Sequence, residues 1–263
     1  MGRTIVVTAG KGGVGKTTVT ANLGASLSKL GNKVVVVDMD IGLRNLDVVM
    51  GLENRVVYNI MDISDGKCKI NQALVRDKRL PGLFLLPASQ IHTKDDINID
   101  KIVEIISTIE NSFDYVLLDS PAGIEKGFES ASAPAKEALI IVTPDVSAVR
   151  DADRVIGILE NRGILAIALI VNRYDINLVN KKKMLNANSI VDILGLDLIG
   201  MIPEDKTVID STNRGELLIN YANGSFAFKA FENISRRIEG EDIPFLNLNS
   251  QSKGIFGLFR RRR

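Results

Sequence analysis

Gly10-Lys-Gly-Gly-Val-Gly-Lys-Thr-Thr18 decides how this 263-residue chain is read. Gly10, Gly15, Lys16 and Thr17 satisfy the pattern G-x-x-x-x-G-K-[ST], the mark of a loop that wraps phosphate. Gly12, Gly13 and Gly15 let the backbone curl so that successive N–H groups face an anion. In such loops the lysine, here Lys16, reaches the outer phosphates and the hydroxyl, here Thr17, binds Mg²⁺. The loop carries a second lysine, Lys11, near its start. Arg3 to Thr8 precedes it as a buried strand. Thr18 follows into a helix with Val19, Leu23 and Leu27 on one side. That order puts a helix N-terminus at the phosphates, which a ligand-free glycine turn has no need of.

Working outward, apolar β-rich runs alternate with helical patterns. The strands are expected at 4–8, 33–37, 83–86, 115–118, 138–142, 165–171 and 197–201. Helices are expected at 16–30, 98–110, 146–160, 186–194, 205–213 and 224–238. Several strands are nearly all Val, Ile and Leu, as happens when both faces of a sheet are covered. The expected fold is α/β: one domain over 1–240, with a mostly parallel twisted sheet, helices on both faces and the ligand at the carboxyl ends of the strands. Residues 241–252 read as a polar linker and 253–263 as a separate terminal segment.

Composition narrows the class. Hydrophobic residues are 45% and charged residues 25%, ordinary for a globular protein. No apolar run is long enough to cross a bilayer, and the early strand leaves no room for a signal or transit peptide. A single cysteine, Cys68, excludes an internal disulfide and suits a reducing cytosol. With one histidine, His92, beside it, a structural zinc site is not expected. Net charge is +1, but five positive charges stand in the last eleven residues, so the rest is acidic by four. An acidic body does not fit a general nucleic-acid binder.

Two further strands end in acids. Val34-Val-Val-Val-Asp38-Met-Asp40 carries two, and Phe113-Asp-Tyr-Val-Leu-Leu-Asp119 carries one. The second is a Walker B pattern, in which Asp119 holds an Mg²⁺-bound water. Any one strand-end aspartate, taken alone, reads better as a helix cap or turn residue. Three of them beside a phosphate loop favour a nucleotide site. Ser120-Pro-Ala-Gly123 then forms a turn suited to sensing the terminal phosphate.

With Lys11 in place, the loop resembles that of the deviant Walker A ATPases of the MinD/ParA family, marked by K-G-G-x-G-K-[ST]. The resemblance implies an ATP-sandwich homodimer in which Lys11 contacts phosphate on the partner subunit. It implies that Asp40 positions or activates the attacking water, that Asp38 supports Mg²⁺ through water, and that Glu125 touches the partner's nucleotide. The loop residues Gly10, Lys11, Gly12, Gly13, Val14, Gly15, Lys16, Thr17 and Thr18 form the phosphate cradle, with Lys11, Lys16 and Asp40 catalytic and Thr17, Asp38 and Asp119 at the metal. The family's adenine-contacting Asn falls at Asn172, followed by Arg173. Ile202-Pro203-Glu204-Asp205 resembles the segment that packs on the base through Pro203 and Asp205. Asn172 also reads as a turn residue. No N-K-x-D guanine motif is present, so the expected cofactors are ATP and Mg²⁺.

Asp40-Ile-Gly-Leu-Arg-Asn-Leu-Asp47, Leu86-Pro-Ala-Ser-Gln90, Ser120-Pro-Ala-Gly-Ile-Glu125 and Ser147-Ala-Val-Arg-Asp-Ala-Asp153 resemble the MinD branch, the regulators of the cell-division site. This implies partners of the MinC and MinE kind, met by Val149, Arg150, Asp151 and Asp153 on the helix from 146. From the residues alone, that stretch reads as a solvated helix face. The tail Lys253-Gly-Ile-Phe-Gly-Leu-Phe-Arg-Arg-Arg-Arg263 puts Ile255, Phe256, Leu258 and Phe259 within an arc of roughly 160° on a helix. It reads as an amphipathic helix for an anionic membrane surface, where the MinD branch has one, with a basic terminus or a docked core segment as alternatives. The expected setting is the cytoplasm, cycling to the inner face of the cell membrane. A ParA-like DNA-segregation ATPase is the rival; the acidic body and the tail count against it. A flagellar-number regulator of similar build is disfavoured only by the segments just quoted. An iron–sulfur carrier of related build needs paired cysteines that this chain lacks.

Overall fold

The computed structural model describes residues 2–248. Seven strands run parallel: β1 (Arg3–Thr8), β2 (Val34–Asp38), β4 (Leu83–Leu86), β5 (Tyr115–Asp119), β6 (Glu137–Val142), β7 (Ala166–Tyr174) and β8 (Asp197–Pro203). The two-residue β3 (Val75–Arg76) pairs antiparallel with β4 at one edge. The sheet order is β3-β4-β2-β5-β1-β6-β7-β8. The order reverses at β1, and the loop from β1 to α1 opens at this switch point, as in other doubly wound sheets.

Alternation along each strand fills two cores. Val35 and Val37 face one side with α3 (Ile60–Ser64), α5 (Ile99–Glu110), α6 (Lys126–Ser132), α7 (Val146–Asn161) and α9 (Ala187–Leu194). Val34 and Val36 face the other with α1 (Lys16–Lys29), α2 (Leu46–Met50), α11 (Leu218–Tyr221) and α12 (Phe226–Ile238). The short α4 (Ile70–Ala73) and α8 (Ile176–Asn180) and the longer α10 (Lys206–Asn213) complete the helices. Capping sets several helix starts. Asn98, Asp145, Asn186, Asp205 and Ser225 each accept a bond from a first-turn N–H. The helices expected from 98, 186, 205 and 224 therefore begin one or two residues later. Cys68 is half-buried against the core, and burial pushes its thiol up.

The linker expected over 241–252 is corrected as far as residue 248. Leu248 is 5% exposed inside the α7-side core, and Leu246 packs against both cores. Arg237 pins the intervening chain: its guanidinium donates to Ile199 O on edge strand β8 (2.9 Å), Ile243 O (3.0 Å) and Pro244 O (2.9 Å). The Phe245 ring lies 4.3 Å beneath the same guanidinium. The bond to Ile199 O satisfies one backbone acceptor on this edge strand. The rest of that linker, and the expected membrane residues Ile255, Phe256, Leu258 and Phe259, lie outside the described residues. No helix among the described residues is long and apolar enough to cross a membrane.

Candidate functional site

The carboxyl ends of β1, β2 and β5 converge. Asp38 and Asp119 are register partners at the last rung between β2 and β5, and Val7 of β1 pairs with Asp119 on its other side. The phosphate loop leaves β1 directly above them. Gly13 and Gly15 hold left-handed backbones, φ +77° and +93°, while Gly12 does not. Gly15 is required twice over, because a Cβ there would also stand 2.6 Å from Asn172 Nδ2. Gly10 answers a different need: a Cβ there would meet the Asp151 carbonyl at 2.2 Å, so α7 packs directly on the loop. Helix α1 starts at Lys16 with no side-chain cap and no acid in its first turn. Its free amides thus face the loop's concavity, where an anion satisfies them.

The charged groups are largely buried. Lys16 is 8% exposed, and burial pushes its ammonium below the ordinary lysine value against the pull of Asp119 and Asp40. Asp119 is pushed up to about 7 by burial and by Asp38, although the hydroxyls of Thr17 and Thr20 bond to it, Thr20 at 2.9 Å. Asp38 is pushed up to about 6 by burial. Three amides oppose this, from Asp40, Asn45 and Leu46, each at 3.0 Å. Asp38 therefore organises the turn into α2 as well as facing Asp119. Asp40 is half-buried and raised by burial, with Lys94 and then Lys16 pulling it back.

These residues fit a hard divalent cation. Two buried carboxylates that resist ionisation, beside the Thr17 hydroxyl, form an oxygen donor set with a deficit of positive charge. No group of three or more His, Cys, Asp or Glu able to hold a metal forms among the described residues. A cation here would need oxygens from a nucleotide and water as well, as Mg²⁺ commonly takes.

Two cavities flank the loop. One of about 250 Å³ lies between Gly13, Gly15, Thr18, Asn172, Pro203 and Asp205. Asn172 is buried, and its amide donates to Val14 O at 2.7 Å, so it braces the loop as well as lining the cleft. Arg173 lines it too, but its guanidinium pairs with Glu204 at 2.8 Å. Asp205 caps α10 through Thr207 N at 2.9 Å. The second cavity, about 610 Å³, has Lys11, Asp145, Lys182 and Lys183 at its rim and Pro144 and Leu185 in its wall. The wall from Lys182 to Leu185 escaped the sequence reading, since it belongs to an irregular turn with no periodicity.

The remaining expected residues separate. Lys11 is bonded to Ser147 Oγ on α7. Glu125 is exposed and lines neither cavity. On α7, Arg150 and Asp153 are exposed and Asp151 is half-buried. Val149 is corrected: at 2% exposure it belongs to the core, and its side chain cannot meet a partner.

Comparison with known proteins agrees with this geometry. Residues 5–219 match the family model described as CobQ/CobB/MinD/ParA nucleotide binding domain. The septum site-determining protein MinD of Synechocystis is 52% identical over all of this chain and 98% of its own length. MinD in the MinC:MinD cell division complex of Aquifex aeolicus superposes with a TM-score of 0.87 at 49% identity, over 93% of this chain and 99% of that one. The Pyrococcus horikoshii MinD complexed with Mg-ADP gives 0.82 at 29% identity, over 91% and 96%. With that likeness running nearly end to end and its loop at the switch point of the same sheet, the chain belongs to the MinD family of septum site-determining proteins.

Proposed function

We propose that the protein is an Mg²⁺-dependent ATPase whose ATP-bound homodimer binds the membrane and helps place the cell-division site. The single observation behind this reading is a complete phosphate cradle whose extra cation, Lys11, is exposed and makes its bonds away from Lys16 and the paired aspartates. Lys16 and the α1 amides bind the β- and γ-phosphates. Thr17, Asp119 and Asp38 would hold Mg²⁺, which would supply charge neutralisation at the phosphates. Asp40 orients the attacking water and accepts its proton. Lys11 acts from the partner subunit, so hydrolysis waits for dimerisation, as with an arginine finger. Asn172, Pro203 and Asp205 receive the adenine.

The tail turns dimerisation into localisation. Full burial of a large apolar side chain is worth about 1.5–3 kcal/mol, and interfacial burial is partial. Each basic residue adds about 1 kcal/mol near anionic lipid. After the helix is ordered, one tail retains only a few kcal/mol. Two tails on one dimer gain on the order of 10² or more in avidity. A MinC-like inhibitor would be recruited through the exposed face of α7, and a MinE-like partner would stimulate hydrolysis there. The protein would thus cycle between cytoplasm and the inner face of the membrane. The acidic body leaves the DNA-segregation alternative weaker.

The test is sedimentation with anionic vesicles under ATP, ADP or no nucleotide, beside a chain ending before Lys253. Binding that needs both ATP and the tail supports the proposal. Binding without nucleotide removes the switch, and none at all returns the DNA-segregation reading.

A further inference from the structure

An asparagine side chain can react with its own backbone when the next nitrogen is free to reach it. Glycine in the next place, with no Cβ, leaves that nitrogen unhindered. The chain holds one such pair, Asn223-Gly224. It forms the turn between α11 and α12, and both residues are exposed. Ser225 N closes the turn by donating to Ala222 O at 3.0 Å, and Ser225 Oγ then caps α12 through Phe228 N at 3.1 Å. Between those bonds, neither the Asn223 side chain nor Gly224 N has a hydrogen-bond partner among the described residues. A Cβ built on Gly224 would meet nothing within 4 Å. Elsewhere the fold engages the same groups. Asn111 precedes Ser112, but Ser112 N donates to Ile109 O at 2.9 Å and the Asn111 amide to Ser107 O at 3.1 Å. Ser189 N, which follows Asn188, donates to Asn186 Oδ1 at 2.9 Å and so occupies the Asn186 side chain as well.

We propose that Asn223 is a site of spontaneous deamidation. Gly224 N gives up its proton and bonds to Asn223 Cγ, the Cγ–Nδ2 bond breaks, and ammonia leaves. Water then opens the succinimide at either carbonyl. One opening yields aspartate. The other yields isoaspartate, in which the main chain runs through the former side-chain carbon. Both products place a negative charge ahead of the α12 N-terminus, which favours an anion. Isoaspartate also adds a methylene to the main chain inside the turn that the Ser225–Ala222 bond closes. It therefore disturbs the entrance to α12, a helix that packs on α1 behind the phosphate loop.

The test is ageing of the full chain at mildly alkaline pH, with tryptic digestion and mass spectrometry at intervals. The peptide from Gly215 to Lys229 should gain the mass that separates a carboxyl from an amide, and fragmentation should place the change on Asn223 and not on Asn220. An isoaspartyl methyltransferase should methylate the aged chain. Peptides that carry Asn111, Asn186 and Asn188 should stay unchanged over the same interval. Gly224→Ala, which the open space admits, should convert about tenfold more slowly, because a Cβ crowds the attacking nitrogen. Its starting Tm should equal that of wild type, while the wild-type Tm falls as isoaspartate accumulates. An unchanged peptide overturns the proposal, as does equal conversion in Gly224→Ala. Conversion at Asn111 or Asn188 at the same rate would show that the fold does not select this site. A Tm that holds while isoaspartate accumulates would remove the effect on α12.

Discussion

Lys11 Nζ donates to Ser147 Oγ at 2.7 Å and stands 3.5 Å from Asp145 Oδ1. The extra cation of the phosphate loop is thus tied to the first turn of α7 in its own chain. Asp145 is held down at about 2: its partial burial pushes upward, but Thr143, the Ala148 amide, Ser147 and Lys11 outweigh it.

To serve a partner subunit, Lys11 must leave this tether. Exposed contacts of this kind are worth about 0.2–1 kcal/mol each, and a dimer breaks two. Ser147→Ala removes the shorter contact while Asp145 still caps α7. It should tighten ATP-dependent dimerisation about threefold to tenfold in sedimentation equilibrium. An unchanged dimer constant would mean that the tether and the dimer do not compete.

Asp119 and Asp38 give the apo protein a distinct pH response. Their folded values, about 7 and about 6, lie above the ordinary 3.8. The folded state therefore binds more protons than the unfolded one between about pH 4 and 7, and stability falls as pH rises through that window. Asp119→Asn removes one such group. It should raise the apo Tm at pH 7.5 by a few degrees, leave it nearly unchanged at pH 4, and abolish stabilisation by Mg-ADP. Differential scanning calorimetry at the two pH values decides the sign.

Asn172→Asp separates a brace from a base contact. The aspartate keeps the shape but cannot donate to Val14 O. Loss of a buried bond and the repulsion left behind should cost about 1–3 kcal/mol and weaken inorganic triphosphate as well as ATP in calorimetric titration. A loss confined to ATP would assign Asn172 to the base alone.

Asp153→Lys reverses an exposed charge on α7. Binding of a MinC-like partner should weaken about tenfold in a surface-binding assay, with basal ATPase unchanged. Val149→Ala should instead lower Tm with no selective loss of partner, because its side chain lies in the core.

Leu248→Ala tests the docked end of the chain. Truncating a leucine buried to this degree costs about 2 kcal/mol or more. For a chain of this size the Tm should drop by roughly 4–8 °C. Removing residues 253–263 should leave Tm unmoved. Equal Tm values for wild type and Leu248→Ala would restore a free linker.

What the sequence made legible follows from element length. β1, β2, β5 and β6 stand out because Val, Ile and Leu fill strands buried on both faces. α5, α7 and α12 stand out because each carries a full apolar stripe. Helices α2, α3, α4, α6, α8 and α11 run four to seven residues, too short for a 3.6-residue period, and were missed. β3 escaped for the same reason. The linker misled because Leu246 and Leu248 are scattered among asparagines, and only the folded body reveals the pockets they fill. The phosphate residues were readable because chemistry fixes their spacing within one loop. Ser147 and Asp145 reach Lys11 from elsewhere in the chain, where no local spacing records it.

The docking of Leu248 has a mechanical consequence. Five peptide steps separate it from Lys253, at most about 18 Å of extended chain. Were residues 253–263 to bind lipid as proposed, so short a span would fix the height at which the body rides above the surface.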